Sequence, residues 1–425
     1  MSVAIFLCLM LFLALGMPVA FSLAMVGFTA LMMISGPQAF MALPTIFYDS
    51  LDSFTLTAIP LYIFMASILH QTKASDDLYE MVKDWVGHFS GGLAITSSLL
   101  CTGFAAISGS SVAAAATIGR LSLPKMLEGG YERKFTFGIV AAGGTLGILI
   151  PPSLFFILFG AMTDVSVGKL FIAGILPGII ASGLFILYII FHSKHRKYPR
   201  SEPTTMKRKL ESTRHGGWLL PLPVVVLGGI YVGIFTPTEA AAVGAVYALV
   251  STLIKRKLSG KILIDSLLQT LRTTSMIFLI ICGALLFGHV ITLLRIPQLL
   301  IDYISSLGLS PLVFIILVCV IFIFLGDFLE VVSITLITLP ILHPVLVALN
   351  VDLVWFGVVM CITMEFALIT PPVGLNLYVI QGIIPDANLF EVFRGTWPFM
   401  LLLMLTLILV FVFPHLAIWL PDAVM

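Results

Sequence analysis

Long apolar runs limit what this chain can fold into more than any other feature. Many of them reach the roughly 20 residues that an α-helix needs to cross the hydrocarbon core of a bilayer. Of the 425 residues, 60% are hydrophobic and 10% are charged, whereas a soluble domain carries about 25% charged residues. One aqueous core cannot bury so much apolar surface, so the sequence predicts an all-α polytopic membrane protein.

Charge and cysteine placement exclude several other classes. The formal net charge of +1 offers no basic face to a phosphate backbone, so we expect no nucleic-acid partner. The five cysteines lie within apolar runs and lack metal-ligand spacing, which indicates packing roles. No GxxxxGK[ST] pattern is present, so the chain is not expected to hydrolyse ATP.

The two halves of the chain resemble each other. At a shift of about 220 residues, Pro151-Pro152 aligns with Pro371-Pro372 and Pro124 aligns with Pro344. Three more landmarks match in order at nearly the same shift: Pro18 with Pro237, Phe137-Gly138 with Phe356-Gly357, and Val86-Gly87 with Leu307-Gly308. The matches predict a first repeat over 1–215 and a second over 216–425, with chance similarity between apolar segments as the alternative.

Each repeat is expected to contain scaffold helices, one interrupted hairpin and one broken helix. The hairpins are predicted at 91–127 and 310–346, and the broken helices at 135–163 and 353–384. The other apolar spans are predicted at 2–15, 18–35, 55–71, 169–191, 218–235, 238–254, 276–294 and 396–420. Two amphipathic stretches, 73–88 and 297–306, have the character of interfacial helices.

Basic loops predict how the chain crosses the membrane. The loops 193–214 and 255–261 are rich in Lys and Arg, which places both in the cytoplasm. The segment between them then crosses twice, turning near Pro237. If both hairpins are re-entrant, each half crosses five times, about ten crossings in all, and the second repeat is inverted. Both termini are then periplasmic, and only Lys169 and Arg295 among the basic side chains lie outside. Inverted repeats with broken helices are typical of secondary transporters.

The first hairpin is interrupted by the polar segment Ser108-Gly109-Ser110-Ser111. Non-helical backbone inside a membrane survives only where protein buries it or a wet cavity solvates it. The hydroxyls and carbonyls of this tip suit a small cation, and its amide groups suit a carboxylate at the start of the next helix. The alternative is a small-residue packing interface, which Ala113–Ala116 would fit well.

The paired prolines, Pro151-Pro152 and Pro371-Pro372, each interrupt a span long enough to cross the bilayer. Proline has no N–H, so each pair frees carbonyls one turn upstream, and sodium is the natural ligand for such oxygens. Several polar or small residues flank the two breaks: Gly144, Thr145, Gly147, Thr370 and Asn376. The alternative is a pair of kinks that pack against neighbouring helices.

Charged residues deep in apolar segments are functional candidates by default. Asp327 and Glu330 follow Gly326 near the second hairpin tip; one is expected to cap the helix that follows, and the other to contact substrate or ion. Glu365 could be a buried structural partner or a coupling residue. Arg120 could attract an anionic substrate or extend its side chain to the cytoplasmic interface.

The motifs together resemble one known family, over essentially the whole chain. The segment from Ser108 through Gly130-Tyr131, the segment Gly143–Ser153 and the segment Thr370–Asn376 closely resemble the large membrane subunit of tripartite ATP-independent periplasmic (TRAP) transporters. Glu330 is a departure, because the family usually has Asp at this position.

The resemblance implies sodium-coupled import of a small organic acid such as a C4-dicarboxylate, sialic acid or keto acid. It implies an elevator fold in which a transport domain with both hairpins moves within a scaffold in the bacterial inner membrane. It also implies two partners, a small four-helix membrane subunit and a soluble periplasmic substrate-binding protein.

The resemblance also implies binding residues. One sodium site would use Ser108, Ser111, Gly147, Ile150 and Pro151, and a second would use Gly326, Ala367, Thr370 and Val373. Substrate is expected between the hairpin tips, with these candidate contacts: Ser108, Gly109, Ser110, Thr145, Asp327, Glu330 and Asn376.

Three alternatives remain at this stage. The nearest is a stand-alone sodium/carboxylate symporter of related architecture. An intramembrane serine protease would use Gly109-Ser110-Ser111 with His289 or His343 as base, but it would not explain the paired breaks. A passive channel would not accumulate its substrate.

Overall fold

A computed structural model gives the structure of residues 2–200 and 203–424. All regular secondary structure in these two ranges is helical, which confirms the predicted all-α class. Eight helical segments there are long and apolar enough to span a membrane. The lengths and hydropathy of the helices therefore agree with the polytopic membrane protein that the sequence predicts.

The first half of the chain forms helices of very different lengths. In order they are α1 Ser2–Ala14, α2 Val19–Ser35, α3 Ala39–Leu51, α4 Ala58–Gln71, α5 Ala74–Val86, α6 Gly92–Ser108, α7 Ser111–Glu128, α8 Arg133–Leu149, α9 Leu154–Thr163, α10 Val167–Arg196 and α11 Met206–Gly216. Short 3-10 turns precede α3 and α4.

The second half repeats much of this plan. Its helices are α12 Pro221–Tyr231, α13 Pro237–Ile254, α14 Gly260–Leu293, α15 Ile296–Ser306, α16 Pro311–Gly326, α17 Val331–Ala348, α18 Leu353–Ala367, α19 Leu375–Ile383, α20 Leu389–Val412 and α21 His415–Val424. The helices α16 to α20 begin about 220 residues after α6 to α10, the shift at which the sequence motifs repeat.

The two halves differ where the sequence predicted a common pattern. The single 34-residue helix α14 occupies the repeat position of the separate helices α3 and α4. Helix α3 was not among the predicted spans, and α14 begins well before the predicted span 276–294. Asp49, Asp52 and Pro44 lower the hydropathy of the first segment, whereas Gly260–Leu293 has no internal proline to end the helix.

Helix α8 lies at the centre of the core. Every residue from Phe135 to Leu149 is buried, because α8 packs against α6, α7, α10, α18, α19 and α20. A second group of contacting helices comprises α2, α4, α13 and α14. The first hairpin and the broken helices meet around α8, and the second hairpin packs against α9 and α18. Helices α4 and α14 border this region from the second group.

Candidate functional site

The first hairpin turns at three residues of the predicted tip. Helix α6 ends at Ser108, Gly109 takes a left-handed φ of +64°, and α7 starts after Ser110. The Ser110 hydroxyl accepts a hydrogen bond from Ala113 N at 3.3 Å and so caps α7. Glycine suits the left-handed position because it has no Cβ. The turn exposes the first amide groups of α7 at the positive end of that helix.

The first diproline interrupts a helix and leaves backbone oxygens free. Helix α8 ends at Leu149 and α9 begins at Leu154. Pro151 and Pro152 have no N–H to return to the carbonyls of Gly147 and Ile148. No other donor within residues 2–200 and 203–424 reaches these two carbonyls. Gly147 O is thus an oxygen ligand without a protein partner.

The second diproline differs in this respect. The carbonyl of Ala367 accepts a hydrogen bond from Thr370 N at 3.1 Å, and the carbonyl of Leu368 accepts one from Asn376 N at 3.1 Å. The expected freeing of carbonyls one turn upstream is therefore offset here by local donors. Each carbonyl retains a second lone pair, so Ala367 O can still accept a further ligand.

Both hairpin tips approach the breaks closely. A Cβ built on Gly147 would lie 1.8 Å from Ala105 Cβ of α6, and a Cβ on Gly326 would lie 2.4 Å from Ala367 Cβ of α18. Backbones this close leave room only for glycine at the two positions. The end of each hairpin arm is thus packed directly against the end of the broken helix of its own half.

Asn376 links the two halves of the chain. From the start of α19, its Nδ2 donates to Ser111 Oγ at 2.8 Å and to Ala141 O at 3.0 Å. The side chain is fully buried, and its Oδ1 has no hydrogen-bond partner among the described residues. An amide predicted to touch substrate therefore fastens the start of the first hairpin's second arm.

Glu365 makes a second link between the halves. Its Oε1 accepts a hydrogen bond from Leu149 N, the last residue of α8, at 3.0 Å. The carboxyl group is fully buried, and in the described part of the chain Oε2 has no partner. Of the two alternatives for Glu365, this geometry directly supports a structural contact at the first break.

The acids of the second tip occupy different environments. Asp327 follows the end of α16, is 4% exposed, and its Oδ1 lacks a partner among the described groups. Glu330 stands at the start of α17 and is exposed, but its side chain makes no capping hydrogen bond. The helix-capping role expected for one of the two acids is not seen in Glu330.

A cavity of about 120 Å³ separates the two tips. Its walls include Gly109, Ser110 and Ser111 from the first hairpin and Glu330 from the second. Helix α14 closes one side with Thr273, Met276 and Ile277. The cavity brings Ser110, Ser111 and the start of α7 from one tip opposite the Glu330 carboxylate of the other.

Several predicted contacts lie away from this cavity. Thr145 is fully buried within α8, where its hydroxyl donates to Ala142 O at 2.7 Å. Asn376 and Asp327 are also absent from the cavity wall. Ser108 instead lines a larger neighbouring cavity that it shares with Ser110. Sequence reasoning missed α14, because its contribution consists of apolar and threonine side chains without a motif.

The oxygen donors fit a small hard cation better than a transition metal. The described residues contain no group of three or more His, Cys, Asp or Glu side chains arranged as a metal site. Near the first break, unpaired Gly147 O and the Ser111 hydroxyl are oxygen donors on adjoining elements, α8 and α7. Near the second, Gly326 contacts Ala367, and Thr370 and half-buried Val373 follow on the same loop.

Comparisons with known proteins agree on one family. The model described as "Tripartite ATP-independent periplasmic transporter, DctM component" matches residues 6–416. The chain is 38% identical over 402 residues, 94% of both chains, to the C4-dicarboxylate TRAP transporter large permease protein DctM of Pseudomonas aeruginosa. It is 34% identical over 415 residues, 97% of both chains, to the 2,3-diketo-L-gulonate TRAP transporter large permease protein YiaN of Escherichia coli.

Two further similarities extend this picture. The sialic acid TRAP transporter large permease protein SiaM of Vibrio cholerae is 32% identical over 408 residues, covering 96% of this chain and 95% of that protein. The crystal structure of the YdaH transporter of Alcanivorax borkumensis superposes with a TM-score of 0.62 at 14% identity, covering 90% of this chain and 88% of that one. The second similarity concerns the fold alone.

Proposed function

Because this chain belongs to the DctM family of tripartite ATP-independent periplasmic transporters, we propose that it imports a small organic acid by sodium-coupled secondary transport. The relatives are named transporter permeases rather than enzymes, which removes the serine-protease hypothesis. The observation that carries the sodium proposal is the pair of helix breaks, each packed against a hairpin tip.

Sodium binding at the first break would use oxygens that the protein leaves without donors. Gly147 O lacks a hydrogen bond among the described residues, and unwound carbonyls of this kind coordinate sodium in other transporters. Ser108, Ser111, Ile150 and Pro151 would supply further oxygens. Gly326, Ala367, Thr370 and Val373 would form the second site, with Ala367 O using its remaining lone pair.

We further propose an inverted-repeat, elevator-type arrangement of about ten crossings. The shared spacing of helix starts in the two halves supports repeats over 1–215 and 216–425. The first hairpin packs on α8 and the second on α9 and α18, so both hairpins and the broken helices would form the transport domain, while α2, α4, α13 and α14 would form the scaffold. Both termini would be periplasmic, since this places the basic segments 193–214 and 255–261 in the cytoplasm.

The partners and the substrate class that we propose are those of the family. The proposed partners are a small four-helix membrane subunit and a periplasmic substrate-binding protein, in the bacterial inner membrane. The candidate substrates are dicarboxylates, sialic acid and keto acids, because relatives are named for transport of C4-dicarboxylates, sialic acid and 2,3-diketo-L-gulonate. The amide groups of Ser111 and Val112, the first two of α7, would receive the carboxylate of the substrate.

Uptake into proteoliposomes tests the proposal. The chain is reconstituted with its small subunit, and candidate acids are supplied on the binding protein with an inward sodium or potassium gradient. We expect saturable accumulation that requires sodium and the binding protein. Uptake by the chain alone would instead indicate a stand-alone symporter, and equilibration without accumulation would indicate a channel.

A further inference from the structure

A large cavity runs beside the first hairpin, apart from the small cavity between the tips. Its volume is about 760 Å³, and α4, α7 and α14 form its walls. Ser108 and Ser110 line its inner end, while Lys73 and Asp76 lie at its outer end. Beside the outer end, Lys257 forms an ion pair with Asp77 at 2.6 Å. This contact ties the outer end to the basic segment 255–261, so the cavity connects the hairpin tip with the proposed cytoplasmic side.

One face of α7 lines the cavity along its length. Ser110, Ala113, Thr117 and Arg120 all contribute to the wall, and their spacing of three and four residues places them on one helical stripe. At a rise of about 1.5 Å per residue, Arg120 lies roughly 15 Å along the helix from Ser110. The stripe thus leads from the tip hydroxyls to a cation.

Arg120 has no counter-ion within the described parts of the chain. It is exposed, and it takes part in none of the ion pairs or side-chain hydrogen bonds found there. His70, on α4, lines the same cavity as Arg120. His70 Nδ1 in turn lies 3.2 Å from the hydroxyl of Thr117. Three polar groups from two helices therefore converge on one part of the cavity wall.

An arginine without a partner in a membrane segment calls for a ligand. Such side chains are rare and costly unless they pair or line a wet cavity, and they then mark a ligand or ion pathway. The guanidinium group also matches a carboxylate in a two-point contact, with five donors in a fixed plane. The only carboxylate on the cavity wall in the described residues is Asp76, at the outer end.

We propose that Arg120, together with His70 and Thr117, forms a second carboxylate-binding site on the path by which the substrate leaves for the cytoplasm. This site receives the carboxylate after it departs from the hairpin tip, about 15 Å away. The proposal rests on the proposed function in two respects: the ligand passing through is an organic acid, and the basic segment 255–261 faces the cytoplasm.

Charged thiol reagents measure the electrostatic part of this proposal without any transport. Ala116 lines the same cavity one turn before Arg120, so an Ala116→Cys variant reports the local potential in a background whose five native cysteines are replaced. The readout is the ratio of reaction rates with an anionic and a cationic methanethiosulfonate in the full chain with its small subunit. Arg120→Gln should lower the anionic-to-cationic ratio about fivefold or more, as expected for loss of a charge within several ångströms.

A matched control uses another arginine. Arg295 follows the wall helix α14, 22 residues after Thr273 and so roughly 33 Å along the helix from the cavity, and Arg295→Gln makes the same charge change there. This variant should leave the ratio of reaction rates close to the parental value. Arg120→Lys keeps the positive charge and should also leave most of the anionic preference in place. Equal effects of Arg120→Gln and Arg295→Gln would overturn the site, because they would reflect net charge alone.

Ligand protection tests binding itself. Millimolar succinate should slow the modification of the cysteine at position 116 when Arg120 is present, and should protect several-fold less in the Arg120→Gln variant. An arginine that only extends to the membrane interface would give no Arg120-dependent protection by succinate, and the proposal would fail. The rate ratio needs no sodium and no binding protein, so failure of the proposed transport function would appear separately, as absent uptake with an intact ratio.

Discussion

Asn376 donates a hydrogen bond to the hydroxyl of Ser111 at 2.8 Å, although 265 residues separate them in the chain. The same amide nitrogen reaches Ala141 O on α8. One side chain, placed directly after the second helix break, therefore joins the first hairpin to the central helix. This places the oxygens of the first proposed sodium site under the control of a residue from the other half.

Replacing this amide should weaken sodium binding. Asn376→Leu removes both hydrogen bonds, so Ser111 Oγ and Ala141 O stay buried but lose the amide donor. This loss should lower the free energy of unfolding by about 1–3 kcal/mol. We expect a lower melting temperature and a sodium dependence of uptake shifted to at least several-fold higher concentration. The measurement is initial uptake against sodium concentration. The control is Gln381→Leu on the same helix, whose amide makes no hydrogen bond among the described residues; equal shifts in both variants would refute the role of Asn376.

Glu365 should act through its acceptor oxygen at the first break. Glu365→Gln keeps an oxygen that can accept from Leu149 N, whereas Glu365→Leu removes this acceptor from the end of α8, at a cost of about 0.5–1.5 kcal/mol. We therefore expect Gln to preserve thermal stability and Leu to lower it, together with a higher sodium requirement. If Glu365→Gln lowers the melting temperature and raises the sodium requirement as much as Glu365→Leu does, the acceptor oxygen alone does not explain the role of Glu365.

Because each hairpin arm packs closely against a broken helix, replacing Gly147 or Gly326 by alanine should destabilise the protein. Gly147→Ala and Gly326→Ala force Cβ atoms into Ala105 and Ala367, and overpacking of this kind destabilises by about 1–3 kcal/mol. Gly103 lies on α6 with open space around its added Cβ, so Gly103→Ala is the matched control. The measurement is the melting temperature of each purified variant. If Gly103→Ala lowered it as much as the other two substitutions, the close packing of Gly147 and Gly326 would not be the cause.

The sequence predicted the site elements better than it predicted their contacts. Both hairpins, both diproline breaks and the tip Ser108–Ser111 follow from local chemistry, because proline and glycine act on their own backbone. Helix α3 was missed, since acidic residues and Pro44 interrupt its apolar pattern. The hydrogen bonds from Asn376 to Ser111 and from Leu149 to Glu365 join residues more than 200 positions apart, and no local pattern encodes such pairings.

The second break shows where a symmetric expectation fails. The repeat predicts the same freed carbonyls at both diprolines, but Thr370 N and Asn376 N supply donors only at the second. Those donors depend on how the loop 368–374 folds back, which the positions of the prolines do not determine. The role of α14 in the cavity between the tips depends likewise on tertiary packing rather than on a motif.

Sodium binding to the purified protein tests the central claim most directly. Melting temperature is measured against sodium chloride, with potassium chloride replacing it to hold ionic strength constant. A ligand that binds only the folded state raises stability by an amount that grows with its concentration over its Kd. We predict a sodium-specific rise that Asn376→Leu shifts to higher concentration. An identical response to sodium and potassium would show that the oxygens at the breaks do not hold sodium, and would contradict the account.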